Sequence, residues 1–356
     1  PRRSPQEMPH AHSSCRWAHA HLVPPRSSTV RAAAAGVMAI EFTKKFLRAK
    51  SPCADGFRWC RRDGEDGSGY QEARDTRGNA GRVEDACWLL GQFGPTNAVL
   101  EVDALEAEAI VFAGTVEVRG SIDVATVIQA GRSIRAGGGL RAGSAIVAGE
   151  DIRAAGSIIS QGTLQAGGDV RADWGVEVQG DITCLGDLRG AWDVVCRGKL
   201  SLKGGAFVGQ DLIVDGLVEC GKGLRVGGHL TGADSLRAGQ GIVVGGAITG
   251  VAHLEAGWGI KAGECIHTQG AIKAGESLCA GEDIRAGHGY GVYAGLNVQQ
   301  ETWDSSAQVW SPQRPEGLRS GLWLGASHLN PGNQTEQKFR DGGQDVSNNF
   351  SNSGQG

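Results

Sequence analysis

The chain has 356 residues, a formal net charge of −4, 40% apolar residues, 6% aromatic residues and 58 glycines. This weakly acidic balance gives no reason to expect nucleic acid or an anionic membrane as an obligatory partner. No stretch approaches the ~20 apolar residues of a membrane-spanning helix, so no span is expected. The nine cysteines are scattered without a C-x-x-C pair, which favours a reducing, cytoplasmic location.

Two non-repetitive segments come first. Residues 1–37 are rich in Pro, Arg, His and Ser, which predicts a disordered leader, and they lack the ~7–15-residue apolar run of a secretory signal. Residues 38–98 carry apolar side chains at helical spacing from Arg82 to Phe93, ended by Gly94-Pro95. This pattern predicts a small α-rich N-terminal cap.

Neither segment predicts a metal site. The leader contains four histidines, and we interpret any metal binding by them as adventitious: His10, His12, His19 and His21. In the cap, Cys53, Cys60 and Cys87 lack a fourth ligand at a spacing that suits zinc. We therefore expect no metal and no cofactor.

A six-residue repeat then runs from Ile110 to Val298. Every sixth residue from Ile110 to Leu296 is Leu, Ile or Val at thirty of thirty-two positions, the exceptions being Ala206 and Tyr290. In a typical hexad the aliphatic residue is followed by a polar and then a small residue, which indicates a short strand with one buried face. Glycine is common at position four or five, where we expect it to supply the positive φ of a corner.

The repeat predicts a mainly β fold, a three-sided parallel β-helix over residues 99–298. Six residues do not match a helix of 3.6 residues per turn, and glycine does not recur every third residue as in collagen. Three hexads per coil give an eighteen-residue coil and ten or eleven coils. The phase of the hexad favours a right-handed coil. Residues 299–325 are predicted to form an aromatic C-terminal cap, and the polar residues 326–356 a disordered tail.

The eighteen-residue coil places two groups of side chains that are candidates for binding. The first is a basic row on one face, which would meet an anionic polymer or glycan or simply solvate the face: Arg135, Arg153, Arg171, Arg189, Arg225 and Lys261. The second consists of three corner tryptophans that would form a contact patch: Trp174, Trp192 and Trp258.

Hexapeptide repeats also occur in the left-handed β-helix acyltransferases, which are enzymes. Their repeat resembles [LIV]-G-x-x-[STAV]-x, whereas here the small residue lies two places after the aliphatic one. Those enzymes carry a catalytic histidine where an inserted loop admits the substrate. Residues 110–298 have candidate histidines but no inserted loop, namely His229, His253, His267 and His288. An acyltransferase is therefore the alternative reading, and we expect no catalytic residue.

Several hexads end in Gly-x-Asp, as in Ile146-Val-Ala-Gly-Glu-Asp151 and Leu278-Cys-Ala-Gly-Glu-Asp283. About half of the chain thereby resembles the bactofilin group of polymer-forming bacterial cytoskeletal proteins. The resemblance implies a non-enzymatic scaffold that self-associates or contacts a protein partner. Bactofilins polymerise end to end from uncapped ends, so the two predicted caps favour a monomer or a laterally paired solenoid.

Overall fold

The structure, a computed structural model, describes residues 31–33, 87, 90–92, 94–232 and 234–325. These residues belong to one compact unit, Arg31–Gly356. They form a parallel β-solenoid of about twelve turns with ~18 residues per coil, which confirms the predicted fold class. Most of the predicted leader and α-rich cap, and the whole predicted tail, lie outside the described residues.

Three sheets form the three sides of the solenoid. Sheet A has fourteen strands, namely β1 (Arg31–Ala33), β2 (Val99–Val102), β5 (Thr115–Val118), β8 (Ile134–Ala136), β11 (Ile152–Ala154), β14 (Val170–Ala172), β17 (Leu188–Gly190), β20 (Ala206–Val208), β23 (Leu224–Val226), β26 (Ile242–Val244), β29 (Ile260–Ala262), β32 (Leu278–Ala280), β35 (Gln308–Trp310) and β37 (Leu322–Trp323). Strand β1 pairs antiparallel with β2, and the other neighbours in this sheet are parallel.

Sheet B has eleven strands, namely β3 (Leu105–Ala107), β6 (Ile122–Val124), β9 (Leu140–Ala142), β12 (Ile158–Ser160), β15 (Val176–Val178), β18 (Val194–Cys196), β21 (Leu212–Val214), β24 (Leu230–Gly232), β27 (Ile248–Val251), β30 (Ile266–Thr268) and β33 (Ile284–Arg285). Sheet C has twelve strands, namely β4 (Ile110–Phe112), β7 (Val127–Ala130), β10 (Ala145–Ala148), β13 (Leu164–Ala166), β16 (Ile182–Cys184), β19 (Leu200–Leu202), β22 (Val218–Cys220), β25 (Leu236–Ala238), β28 (Leu254–Ala256), β31 (Ile272–Ala274), β34 (Val292–Tyr293) and β36 (Leu318–Ser320).

The register confirms a coil of eighteen residues. Ile152 pairs with Ile134 on one side and with Val170 on the other, each eighteen residues away. Position one of the hexad is buried throughout the regular coils, and position three supplies the small residues between the aliphatic layers. Cysteine takes position three in β16, β18 and β22 as a buried thiol, and burial raises the pKa of Cys184 to about 11 and that of Cys220 to about 12.

The expected role of the corner glycines is wrong. A positive φ occurs within the regular coils only at Gly250, where β27 and β30 shift register; the other positive values among the described residues lie near the two ends. Elsewhere the corner glycine makes room for the coil beneath it. A Cβ on Gly263, for example, would overlap the carbonyl oxygen of Gly245.

The hexad rhythm also ends earlier than the sequence predicts. Ile272 pairs with Val292, because two extra residues precede β34. Tyr290 and Leu296, which continue the six-residue count, are therefore exposed rather than in the core. Residues 299–325 form a 3₁₀ helix (Gln300–Thr302), the helix α1 (Trp303–Ser306) and three strands that extend sheets A and C.

Among the described residues, no helix has the length and apolar character that a membrane crossing requires. The handedness of the coil stays a prediction.

Candidate functional site

The predicted basic row lies along the outside of sheet A. Arg153 faces Arg135 and Arg171 in the neighbouring coils, and Arg171 faces Arg189. After Arg189 the row continues through Phe207 and Arg225 to Val243 and Lys261.

Carboxylates accompany most of the arginines in this row. The pairs are Arg135 with Glu117 (3.8 Å), Arg153 with Asp151 (2.9 Å), Arg171 with Asp173 (3.0 Å) and Arg189 with Asp187 (3.2 Å). The guanidinium of Arg189 also lies 4.8 Å from the ring centre of Phe207, in cation–π contact. The face thus carries both charge signs in close alternation, and an anionic polymer would meet carboxylates as well as guanidinium groups.

The three tryptophans of the predicted contact patch lie at two different corners of the solenoid. Trp174 and Trp192 stack at the corner between sheets A and B, with ring centres 6.3 Å apart and planes inclined by 25°. They are 61% and 57% exposed, the first and third most exposed large apolar side chains among the described residues. Trp258 is half-buried and follows β28, at the corner between sheets C and A.

The tryptophan pair borders a face with an apolar centre. We name it face B, the row of outward side chains on sheet B, one per coil: Glu106, Asp123, Arg141, Ile159, Glu177, Val195, Ile213, Thr231, Thr249, His267 and Arg285. Ile159, Val195 and Ile213 are half-exposed. Trp174 leans toward this face, because it lines a shallow groove of about 390 Å³ together with Arg141 and Ile159.

The corners carry a second kind of polar site, which sequence reasoning missed. The residue before each strand often accepts a hydrogen bond from the backbone N–H eighteen residues later, in the next coil. The pairs are Ser121 with Gly139 (3.2 Å), Asp151 with Asp169 (2.9 Å), Asp169 with Asp187 (2.8 Å), Asp187 with Gly205 (2.9 Å), Asp181 with Lys199 (2.7 Å), Asp193 with Asp211 (3.0 Å), Asp211 with His229 (2.7 Å), His229 with Ala247 (3.1 Å) and His253 with Ala271 (3.1 Å). We call this set the corner ladder.

Nearly every acceptor residue of the corner ladder has a glycine seventeen residues later in the chain. Eight of the nine acceptor side chains have glycine at that position, and a Cβ there would overlap the acceptor atom or lie against it: Gly138, Gly168, Gly186, Gly198, Gly204, Gly228, Gly246 and Gly270. Gln210, after Asp193, is the exception. At two corners the order is opposite, with glycine first and the large side chain seventeen residues later. Trp192 follows Gly175 in this way, and Trp258 follows Gly241. Each coil thus leaves space where its neighbour has a side chain.

Asp187 in the corner ladder makes stability depend on pH. Burial raises the pKa of this carboxyl, but the Gly205 N–H, the Arg189 hydrogen bond and the charge of Lys222 outweigh burial and hold the pKa below its ordinary value of 3.8. A depressed pKa stabilises the fold above the ordinary value, and this contribution is lost as the pH falls through the folded-state pKa. We expect Asp187→Asn to lower the urea midpoint at about pH 7, and this difference to shrink as the pH falls below the ordinary carboxyl pKa of 3.8 and through the lower folded-state pKa.

The matched control for this measurement is Asp173→Asn, because Asp173 pairs with an arginine on the same face but is not in the corner ladder. A difference between wild-type and Asp187→Asn protein that stays constant across this pH range would contradict the assignment.

The candidate histidines do not form one site. His229 and His253 are used in the corner ladder, where Nδ1 accepts a backbone N–H and the neutral ring therefore keeps its proton on Nε2. His288 is exposed. His267 differs, since its Nε2 lies 2.8 Å from Asp283 Oδ1 and the thiol of Cys265 is close by.

The His267 cluster is not arranged for nucleophilic catalysis. Burial, together with the charges of Asp283, Glu282 and Glu264, raises the pKa of the Cys265 thiol, whereas a nucleophilic cysteine needs a lowered one. Burial also raises the pKa of Asp283, but the hydrogen bond and charge of His267 and the charge of Arg285 leave it below its ordinary value.

Comparison with protein-family models, with curated proteins and with solved structures gives no match to this chain. The parallel β-solenoid is therefore established by the structure, and the bactofilin-like reading stays a prediction.

Proposed function

We propose that the chain is a non-enzymatic scaffold that pairs laterally with a second copy of itself through face B. The observation that carries the proposal is the apolar centre of this face. Ile159, Val195 and Ile213 lie there half-exposed beside the stacked Trp174 and Trp192, with one exposed carboxylate, Glu177, between Ile159 and Val195. Exposed apolar patches bordered by polar residues typically mark protein contacts.

The order of charges on face B favours a second copy as the partner. Face B has eleven residues, and Val195 is the sixth, at the centre of the row. A copy related by a two-fold axis that passes through this centre and is perpendicular to the solenoid axis runs antiparallel, so each end of the face meets the other end. Glu106 and Asp123 would then lie opposite Arg285 and His267.

Lateral pairing keeps the bactofilin-like expectation of self-association but changes its geometry. Sheet A begins at the antiparallel strand β1, which covers the edge of β2. Such a strand interrupts the parallel pairing that an end-to-end polymer would continue. The proposal accordingly places the contact on the side of the solenoid.

The variant Val195→Glu tests this proposal. In a two-fold dimer the substitution places two like charges opposite each other at the centre, which costs several kcal/mol. We expect the dimer dissociation constant to rise by more than ~100-fold, measured by light scattering over a range of concentrations.

Val243→Glu is the matched control, because Val243 is also half-exposed in the middle of a strand, but on sheet A. We expect this variant to pair as the wild-type chain does. A wild-type chain that stays monomeric at all concentrations, or a Val195→Glu chain that still pairs, would refute lateral pairing through face B.

A further inference from the structure

Three different ligand-type side chains meet at the last coil of sheet B. Cys265 comes directly before β30, His267 points outward from the middle of β30, and Asp283 comes directly before β33. Their Sγ, imidazole nitrogen and carboxylate oxygen all lie within 4.8 Å of one another, and the three residues are half-buried. The cluster is built by the coil register, because β30 and β33 are adjacent and Cys265 and Asp283 occupy the same corner one coil apart.

Asp283 is available here because the corner ladder ends at this point. In earlier coils the corner aspartate accepts the N–H eighteen residues later, as Asp193 does from Asp211. Strand β33 is the last strand of sheet B among the described residues, so no further described strand of this sheet supplies that N–H. The carboxylate turns instead to His267 through Oδ1, while Oδ2 contacts Arg285 Nε.

We propose that Cys265, His267 and Asp283 bind one zinc-type divalent cation. A thiolate, an imidazole and a carboxylate together are a ligand set that zinc accepts and that Mg²⁺ and Ca²⁺ do not favour. Three protein ligands leave the fourth tetrahedral position to water. Binding releases the thiol proton to solvent, and the His267 imidazole coordinates through Nε2 as the neutral ring with its proton on Nδ1.

The geometry requires only small movements. Zinc lies about 2.3 Å from sulfur and about 2.0–2.2 Å from nitrogen and oxygen, so its ligand atoms are separated by roughly 3.3–3.8 Å. The Nε2–Oδ1 pair at 2.8 Å would open slightly, and the widest pair, within 4.8 Å, would close by about 1 Å. Arg285 holds Oδ2 of Asp283 and so leaves Oδ1 directed at the site.

The test uses the full-length, reduced and metal-stripped chain, with Co²⁺ as the spectroscopic probe and Zn²⁺ as the competitor. We expect one equivalent of Co²⁺ to give the intense visible bands of tetrahedral coordination and a thiolate-to-cobalt charge-transfer band, both removed by Zn²⁺. In Cys265→Ser and in His267→Gln, both signals should be lost, with affinity falling by more than the ~100-fold that an outer-shell substitution costs.

The variants also separate this site from weaker sites elsewhere in the chain. Serine suits the Cys265 corner, because the same corner carries Ser157 six coils earlier and Ser121 eight coils earlier. Cys279→Ser is the control, since Cys279 lies on sheet A, and it should bind as the wild-type chain does. Identical spectra and stoichiometry for wild-type and Cys265→Ser chains would overturn the proposal, as would Co²⁺ binding by the wild-type chain without a thiolate band. Because His267 also belongs to face B, both readouts are taken at a concentration at which light scattering shows the chain to be monomeric, so that they report on the metal site and not on pairing.

Discussion

Replacing Ile182 by alanine is expected to lower the free energy of unfolding by about 2–5 kcal/mol. Ile182 is fully buried and stacks between Leu164 and Leu200 in the coils before and after it. The backbone hydrogen bonds of sheet C fix the distance between these coils at roughly 4.8 Å, so the neighbours are not free to close the cavity. Most of the cavity cost should therefore remain.

Urea denaturation followed by intrinsic tryptophan fluorescence measures this effect. Thr183→Ala is the matched control, because Thr183 is the next residue in β16 but points outward. Its effect should stay within about 0.5 kcal/mol. Equal shifts in the two variants would mean that the inward and outward assignments of this strand are wrong.

Replacing Gly186 by alanine is expected to cost about 1–3 kcal/mol, although both residues are small. The new Cβ would overlap Asp169 Oδ1, which accepts the N–H of Asp187 at 2.8 Å. The methyl group must therefore displace either this side chain or the backbone of the coil beneath.

A double-mutant cycle with Asp169→Gly tests this account. Asp169→Gly alone removes the hydrogen bond and should be destabilising, but it also removes the atom nearest to the new Cβ, so that only the backbone of Gly168 and Asp169 remains close to it. The double variant should therefore be more stable than the sum of the single effects, with a coupling of about 0.5–3 kcal/mol. Gly180→Ala in the same two backgrounds is the control, because Gly180 faces Gly162 rather than Asp169. Additive effects at Gly186 would contradict direct contact across the coils.

The regular coils could be predicted from the sequence because each core residue contacts the equivalent residues in the adjacent coils. Each aliphatic core residue pairs with the residue eighteen positions away, so counting along the chain gives the pairs directly, as for Ile134, Ile152 and Val170. The eighteen-residue spacing fails at Val292, which pairs with Ile272 twenty residues earlier because two extra residues precede it. Such an insertion follows from how the end is closed, and the repeat carries no signal for it.

The functional side chains were harder to predict, because their partners lie in the next coil. The corner ladder does leave a signal, an aspartate followed by glycine seventeen residues later, as in Asp169 and Gly186. The cluster of Cys265, His267 and Asp283 also leaves a signal in the sequence, because Asp283 follows Cys265 by one full coil of eighteen residues. The hexad pattern places Cys265 at a corner and His267 at an outward position, and only the pairing of β30 with β33 brings Asp283 beside both.

The corner ladder gives the solenoid a chemical direction. Each side chain accepts from the coil that follows it and never from the coil that precedes it. A cut between any two coils of the ladder would therefore create two unlike ends, one with unsatisfied carboxylates and the other with unsatisfied N–H groups. Two such ends fit each other, whereas two ends of the same kind do not. Whole coils of eighteen residues are thus the natural unit for lengthening or shortening this fold, provided that every new coil keeps the order of the chain.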